Sequence, residues 1–201
     1  MKLYGSLTSP YVRKVRVLLA EKRLDCEFVV ADPMASDSPI SAHNPLGLVP
    51  TLVRDDGFVL FDSPVILEYL DSLSAPALIP PGGEPRWRVL RWAALADGIL
   101  DQAVARTMEL RRPAALRSAQ ANARREEKIA RALDFAEREL PAGEHPAEER
   151  FTLADIALLA AIEYVDFRYP HDWRATRPRL AAWHERVRER PAFAATRPPA
   201  A

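Results

Sequence analysis

Two serine–proline pairs, Ser9-Pro10 and Ser63-Pro64, each stand between a short strand-like stretch and a helical run. Serine at the N-cap and proline at the first helical position are both favoured there. The residue before proline is also pushed toward the extended dihedrals that an N-cap adopts. The plain role of each serine is to cap its helix. The chemical role is that a helix start, with free N–H groups and a positive dipole end, attracts an anion. Two such starts in one small domain could hold two negative groups of one ligand. A third feature is Leu48-Val49-Pro50-Thr51, where Pro50 opens a strand. Pro50 is either a tolerated edge residue, or the partner of a cis bond that presents Val49 at a bend.

Other reactive residue types offer less. The single cysteine, Cys26, rules out an intrachain disulfide and a Cys-rich metal site. Within an apolar strand it reads as a small buried hydrophobe rather than a nucleophile. The four histidines, His43, His145, His171 and His184, form no i, i+4 pair, and no metal is expected. Asp97 and Asp101 lie one helical turn apart and suit pairing with arginines better than acid–base work. Arginines 106, 111, 112, 117, 124 and 125 read mostly as a solvated face, with one or two free to meet an acidic group.

The elements that must position these residues differ between the two halves. Residues 2–5 and 26–30 have strand character, and Val12, Val15, Leu18 and Leu19 recur at helical spacing between them. Asn44-Pro45-Leu46-Gly47 has the preferences of a type I turn. Asp55-Asp56-Gly57 between apolar runs signals a hairpin, and residues 65–73 read as a second helix. The order β-α-β-loop-β-β-α predicts a small α/β domain. Residues 74–85 read as linker by composition. Beyond them no strand signal appears, and helices are predicted over 86–111, 114–140 (ended by Pro141 and Gly143), 153–168 and 179–190. The helix over 153–168 is apolar nearly all round, as at the centre of a bundle. Thr152 with Asp155 has the spacing of a capping box at its start. The expected division is 1–76, a linker at 77–85, and an all-helical domain at 86–201.

Composition narrows the function classes. The 201 residues are 48% hydrophobic and 28% charged, with 28 basic and 28 acidic groups. The first 83 residues carry 7 basic and 10 acidic groups and the remainder 21 and 18. Neither half offers a general attraction for nucleic acid or anionic lipid, so neither partner is expected. No apolar run approaches the roughly 20 residues of a membrane helix. Arg13, Lys14 and Arg16 interrupt any signal-peptide core, so a cytoplasmic location is expected.

The segments Thr8-Ser9-Pro10-Tyr11-Val12-Arg13-Lys14, Asn44-Pro45-Leu46-Gly47-Leu48-Val49-Pro50 and Phe61-Asp62-Ser63 resemble the glutathione S-transferase superfamily. Phe151-Thr152-Leu153-Ala154-Asp155-Ile156, with Leu180-Ala181-Ala182-Trp183 and Arg190-Pro191-Ala192-Phe193, resembles its C-terminal helical domain. The resemblance implies an α/β plus all-α protein: an N-terminal thioredoxin-like domain followed by a C-terminal helical bundle. It also implies a homodimer that binds glutathione as co-substrate, without a metal. The residue matching the thiol-contacting position is Ser9. Thr8 ranks second, because some classes place the serine one residue further from the proline. The resemblance makes Val49, before Pro50, the backbone partner of the cysteinyl part, and makes Asp62 and Ser63 the holders of the γ-glutamyl end.

These roles fit the chemistry of the ligand. A free thiol ionises near 8.5. Lowering that value by about two units needs about 2.7 kcal/mol, within reach of one charge-assisted hydrogen bond plus a helix dipole. A serine hydroxyl suits a carboxylate, and an aspartate suits the ammonium beside it. The implied activity is detoxifying transfer of the glutathione thiolate to a small electrophile. Glutathione-dependent isomerisation, lysis or dehalogenation, or a non-catalytic interaction role, remain the alternatives on the same fold.

Overall fold

A computed structural model describes residues 1–141, 145–169 and 171–199. The chain forms two compact units, Met1–Ile79 with Arg190–Ala201, and Pro80–Glu189. The Gly143 stop lies outside the described residues.

The first unit is built on a four-stranded sheet of order β2-β1-β3-β4, from β1 (Lys2–Gly5), β2 (Glu27–Val30), β3 (Thr51–Val53) and β4 (Val59–Leu60). β1 and β2 are parallel and joined through helix α1 (Pro10–Lys22), while β3 runs antiparallel to both β1 and β4. A parallel pair needs a crossover of this kind, whereas the antiparallel pair closes with a tight turn. Gly57 N–H donates to the Arg54 carbonyl at 3.0 Å, and its φ of 83° is the left-handed geometry such a loop requires. Helix α2 (Ser63–Ser72) packs against α1. Gly5 ends β1 where a Cβ would come within 2.6 Å of the Val12 methyls, so only glycine lets α1 lie this close.

Two local expectations need correction. Ser63 is the first residue of α2, and the N-cap is Asp62. Cys26 precedes β2 instead of lying within it, and is only half-buried. Burial still pushes its thiol up, so it stays protonated near neutrality.

The second unit is helical among its described residues. It contains α3 (Gly83–Arg111), α4 (Ala119–Glu139), α5 (Leu153–Arg168) and α6 (Pro178–Val187). The helix expected from 114 starts at Ala119, because Pro113 breaks α3 and Ser118 caps α4, its Oγ accepting from Ala121 N–H at 3.1 Å. Glu109 holds the turn between them by accepting from Ser118 N–H at 2.8 Å and from Arg112. Trp92 is buried on α3, whereas Trp87 is 62% exposed. Arg106 likewise leaves the solvated face: its guanidinium binds Glu126 at 2.6 Å and lies over the Tyr169 ring. α6 ends at Val187, and Pro191 begins the short helix α7 (Pro191–Ala195) instead of only stopping a longer one. α7 packs on α1 in the first unit.

α5 is buried on every side from Leu153 to Ile162 and packs against α3 and α6. Its start is the expected capping box, with Thr152 N–H donating to Asp155 at 2.8 Å and the Thr152 hydroxyl accepting from Ala154 N–H. His145 adds a contact to the other Asp155 oxygen at 2.7 Å. On α6, His184 is buried edge-on to Trp173, with Nδ1 3.1 Å from Glu185 and Nε2 4.0 Å from Glu163. Burial lowers its pKa, a pull that outweighs the opposing Glu185 hydrogen bond.

Thr152→Ala is expected to lower stability by about 1–2 kcal/mol through loss of the cap. Thermal unfolding reads this as a lower midpoint, with ligand affinity nearly unchanged. His184 gives a second expectation. Its folded pKa lies below the unfolded value of about 6.5. The stability it contributes is therefore complete above that pH and is lost as pH falls through it toward the folded value. Unfolding midpoints measured between pH 8 and 5 should fall less steeply in His184→Gln than in the parent chain; equal slopes would contradict this assignment.

Candidate active site

The strand register gathers three loop segments on one edge of the sheet. Tyr4 pairs with Thr51 across β1 and β3, and Leu52 pairs with Leu60 across β3 and β4. The chain leaving β1 therefore starts beside the chain entering β3, which in turn lies beside the chain leaving β4. These three segments carry Thr8 and Ser9, Val49 and Pro50, and Asp62 and Ser63. Neighbouring strands are about 4.8 Å apart, so the row spans about 10 Å. That length suits an extended ligand of two to three residues.

Ser9 caps α1 from an extended backbone (φ −77°, ψ 123°), and its Oγ accepts a hydrogen bond from Val12 N–H at 3.3 Å. Pro10 follows at the first helical position. Thr8 and Ser9 are both half-buried. The first turn of α1 holds no acidic residue, so nothing there offsets the positive end of the helix.

The Val49–Pro50 bond is cis. Val49 is half-buried and Pro50 buried. The loop leading to them is pinned by Asn44, a residue whose sequence signature showed only a turn. The turn itself forms, with Gly47 N–H donating to the Asn44 carbonyl at 2.9 Å. The buried Asn44 side chain then donates to the Leu48 carbonyl at 3.0 Å and to Thr51 Oγ1 at 3.2 Å, and accepts from Leu46 N–H. Thr51 Oγ1 donates to the same Leu48 carbonyl at 2.9 Å. A buried amide with its polar groups engaged rigidifies its surroundings. Asn44 and Thr51 thus fix the backbone on both sides of Val49-Pro50. The readable signal was a polar side chain at each end of an apolar loop.

At the third segment Asp62 is exposed, and its side chain makes no capping bond to α2. The backbone carbonyl of Asp62 accepts from Ile66 N–H at 3.1 Å. Ser63 is buried, and its Oγ has no hydrogen-bond partner among the described residues. A buried unpaired hydroxyl costs about 1–3 kcal/mol. Asp97 and Asp101 lie in the second unit on α3, and no group of three or more metal-ligating side chains occurs among the described residues.

Residues 3–82 match the family model described as glutathione S-transferase, N-terminal domain, and residues 119–186 match the C-terminal domain of the same family. The chain is 41% identical over 203 residues to the uncharacterized GST-like protein YibF of Escherichia coli, covering 100% of both chains. It is similar to a glutathione S-transferase of Methylobacillus flagellatus solved with glutathione bound, at TM-score 0.95 and 40% identity over 98% of this chain and 99% of that one. A glutathione transferase family member from Pseudomonas fluorescens, solved with S-(propanoic acid)-glutathione, is similar at TM-score 0.89 and 40% identity, over 98% and 99% of the two chains. The segments that line one edge of the sheet and the helical unit that follows belong to one familiar plan: the chain is a member of the glutathione S-transferase superfamily.

Proposed function

We propose that the chain is a glutathione transferase in which Ser9 stabilises the glutathione thiolate for attack on a small electrophile. The observation that carries this reading is the register that lines up Ser9, Val49-Pro50 and Asp62-Ser63 on one sheet edge. Glutathione bound to a 40% identical relative supports the co-substrate, and a glutathione conjugate bound to another supports the product class. Ser9 donates its hydroxyl hydrogen to the sulfur while the start of α1 favours the negative charge. Val49, through its backbone, holds the cysteinyl part as an added strand would. Asp62 meets the γ-glutamyl ammonium. Ser63, after rotating about χ1, donates to the adjacent carboxylate, which relieves the cost of its unpaired hydroxyl.

In the reaction the thiolate forms a carbon–sulfur bond, and the electrophile either expels a leaving group or takes up a proton. Ser9 lowers the barrier by raising the fraction of thiolate near neutral pH. A homodimer, a cytoplasmic location and a role in detoxification belong to the same reading on the strength of family membership.

Two variants test it. Ser9→Ala removes the donor, so the thiol of bound glutathione should ionise nearer its free value of about 8.5 and conjugation at neutral pH should slow. Thiolate absorbance titrated in the complex measures the change; an unmoved thiol would transfer the role to Thr8 or Tyr11. Ser63→Ala should weaken glutathione binding by about 1.5–3 kcal/mol, the worth of a hydrogen bond to a charged group. Calorimetry that finds full affinity would place the γ-glutamyl end elsewhere.

A further inference from the structure

The last helix of the chain returns to the first unit and lies along the helix that carries Ser9. Arg190, the N-cap of α7, forms a forked pair with Glu21, Nε to Oε1 at 2.9 Å and Nη2 to Oε2 at 2.7 Å. One helical turn later Phe193 is fully buried, and its carbonyl accepts from the buried Arg13 guanidinium at 3.4 Å. Ala192 and Thr196 are buried with it, and the Thr196 hydroxyl closes the segment by donating to the Ala192 carbonyl at 2.9 Å.

Arg13 and Glu21, the residues of α1 bonded to this segment, mark the ends of a stripe. Arg13, Val17 and Glu21 are spaced four apart and therefore share one face, about 12 Å long. Val17, midway, is fully buried. The polar contacts stand at the two ends, Glu21 near the C-terminus of α1 and Arg13 one turn from its start. A different face carries Val12, which presses against Gly5 of the sheet. Apolar burial of that kind is non-directional and by itself leaves a helix free to slide or rotate by small amounts; Lys22, bonded to Asp71, anchors the last turn. Forked guanidinium–carboxylate pairs are directional and fix position.

We infer that the C-terminal segment Arg190–Thr196 is a strap that sets the position of α1, making Arg190 and Glu21 positioning residues for the thiol-activating serine. The inference rests on the reading of Ser9 given above. Ser9 is the N-cap of the strapped helix, and its carbonyl accepts from Arg13 N–H at 3.0 Å. Axial movement of α1 carries Ser9 with it. A hydrogen bond from the Ser9 hydroxyl to sulfur weakens steeply with such displacement, and small misplacements at a reacting centre are costly in rate. The strap thus acts on thiol ionisation, whereas the α2 start that holds the γ-glutamyl end is not part of the stripe.

The experiment compares the full-length parent with Arg190→Ala, Arg190→Lys, and the exchange Glu21→Arg with Arg190→Glu, all below their unfolding temperatures. Arg190→Ala should raise the apparent pKa of the bound glutathione thiol by about half a unit, a threefold loss of thiolate below that pH. Glutathione affinity at about pH 5, where the thiol is largely protonated, should change by less than about twofold. The exchange, which keeps a guanidinium–carboxylate fork, should return the thiol toward the parent value, and Arg190→Lys, which keeps the charge without the fork, should do so only in part. A lowered unfolding midpoint with an unmoved thiol pKa in Arg190→Ala overturns the inference and leaves the strap a stability element. So does failure of both Arg190→Lys and the exchange to restore the value. Ser9→Ala run in parallel separates the two levels. If it raises the thiol pKa while Arg190→Ala does not, the strap alone is wrong; if neither moves it, the role of Ser9 falls and the strap inference with it.

Discussion

The antiparallel pairing of Tyr4 with Thr51 constrains everything that the first unit presents to a ligand. β3 is only three residues long and β4 two, so few hydrogen bonds define the register. What defends it is burial: Leu3 and Leu52 face each other across the strands and are fully buried, while Thr51 is buried and tied to Leu48 and Asn44. A slip by one residue would turn Leu52 to the opposite face and pull Thr51 off its partners. Val49-Pro50 would then lose its place between the ends of β1 and β4. The site's geometry is thus a consequence of core packing a few residues away.

A second constraint fixes where the chain leaves this unit. Asp71, near the end of α2, is buried and accepts from Lys22 Nζ at 2.7 Å, Leu78 N–H at 2.8 Å and Ile79 N–H at 2.9 Å. Lys22 also donates to the Asp71 and Pro76 carbonyls. A buried charge persists only when paired and hydrogen-bonded, and here both charges satisfy backbone groups that would otherwise be stranded. The segment with the composition of a linker is consequently ordered by the helices it follows. α1 is held at its last turn by Lys22 and along its outer stripe by Arg190 and Arg13, while its N-terminus carries Ser9.

Local signals made much of this legible. The Asp55-Asp56-Gly57 hairpin, the Asn44–Gly47 turn, the capping box at Thr152 and the apolar run of α5 all rest on chemistry within a few residues, and each forms. Misreadings came where distant partners decide. Ser63 and Ser9 share the same Ser-Pro signature, yet α2 begins one residue earlier relative to its serine, which moves the cap to Asp62. Arg106 looks like any surface arginine until Glu126 and Tyr169, brought by other elements, enclose it. Pro191 reads equally well as a stop or a start; the buried Phe193 and the Glu21–Arg190 pair across 169 residues of sequence make it a start. No window of sequence contains that information.

Capping and the proposed chemistry are compatible roles for a serine. A hydroxyl has two lone pairs and one hydrogen. As an N-cap, Ser9 spends one lone pair on Val12 N–H, at a rather long 3.3 Å, and this orients the oxygen at the start of α1. The hydrogen is not used in that bond and remains available to an acceptor outside the helix. Accepting a hydrogen bond also makes the hydroxyl a better donor, since bonds in a chain polarise one another. The cap therefore holds and tunes the group that the proposed chemistry needs. Ser63 lies one step inside its helix, where its oxygen caps nothing, and the exposed Asp62 carboxylate takes the N-cap position without bonding the helix. An identical dipeptide placed one residue differently thus yields an anchored donor at α1 and, at α2, a hydroxyl without a partner among the described residues beside a carboxylate that makes no bond to the helix. The first suits a single developing anion on sulfur; the second suits the paired charges of an amino acid.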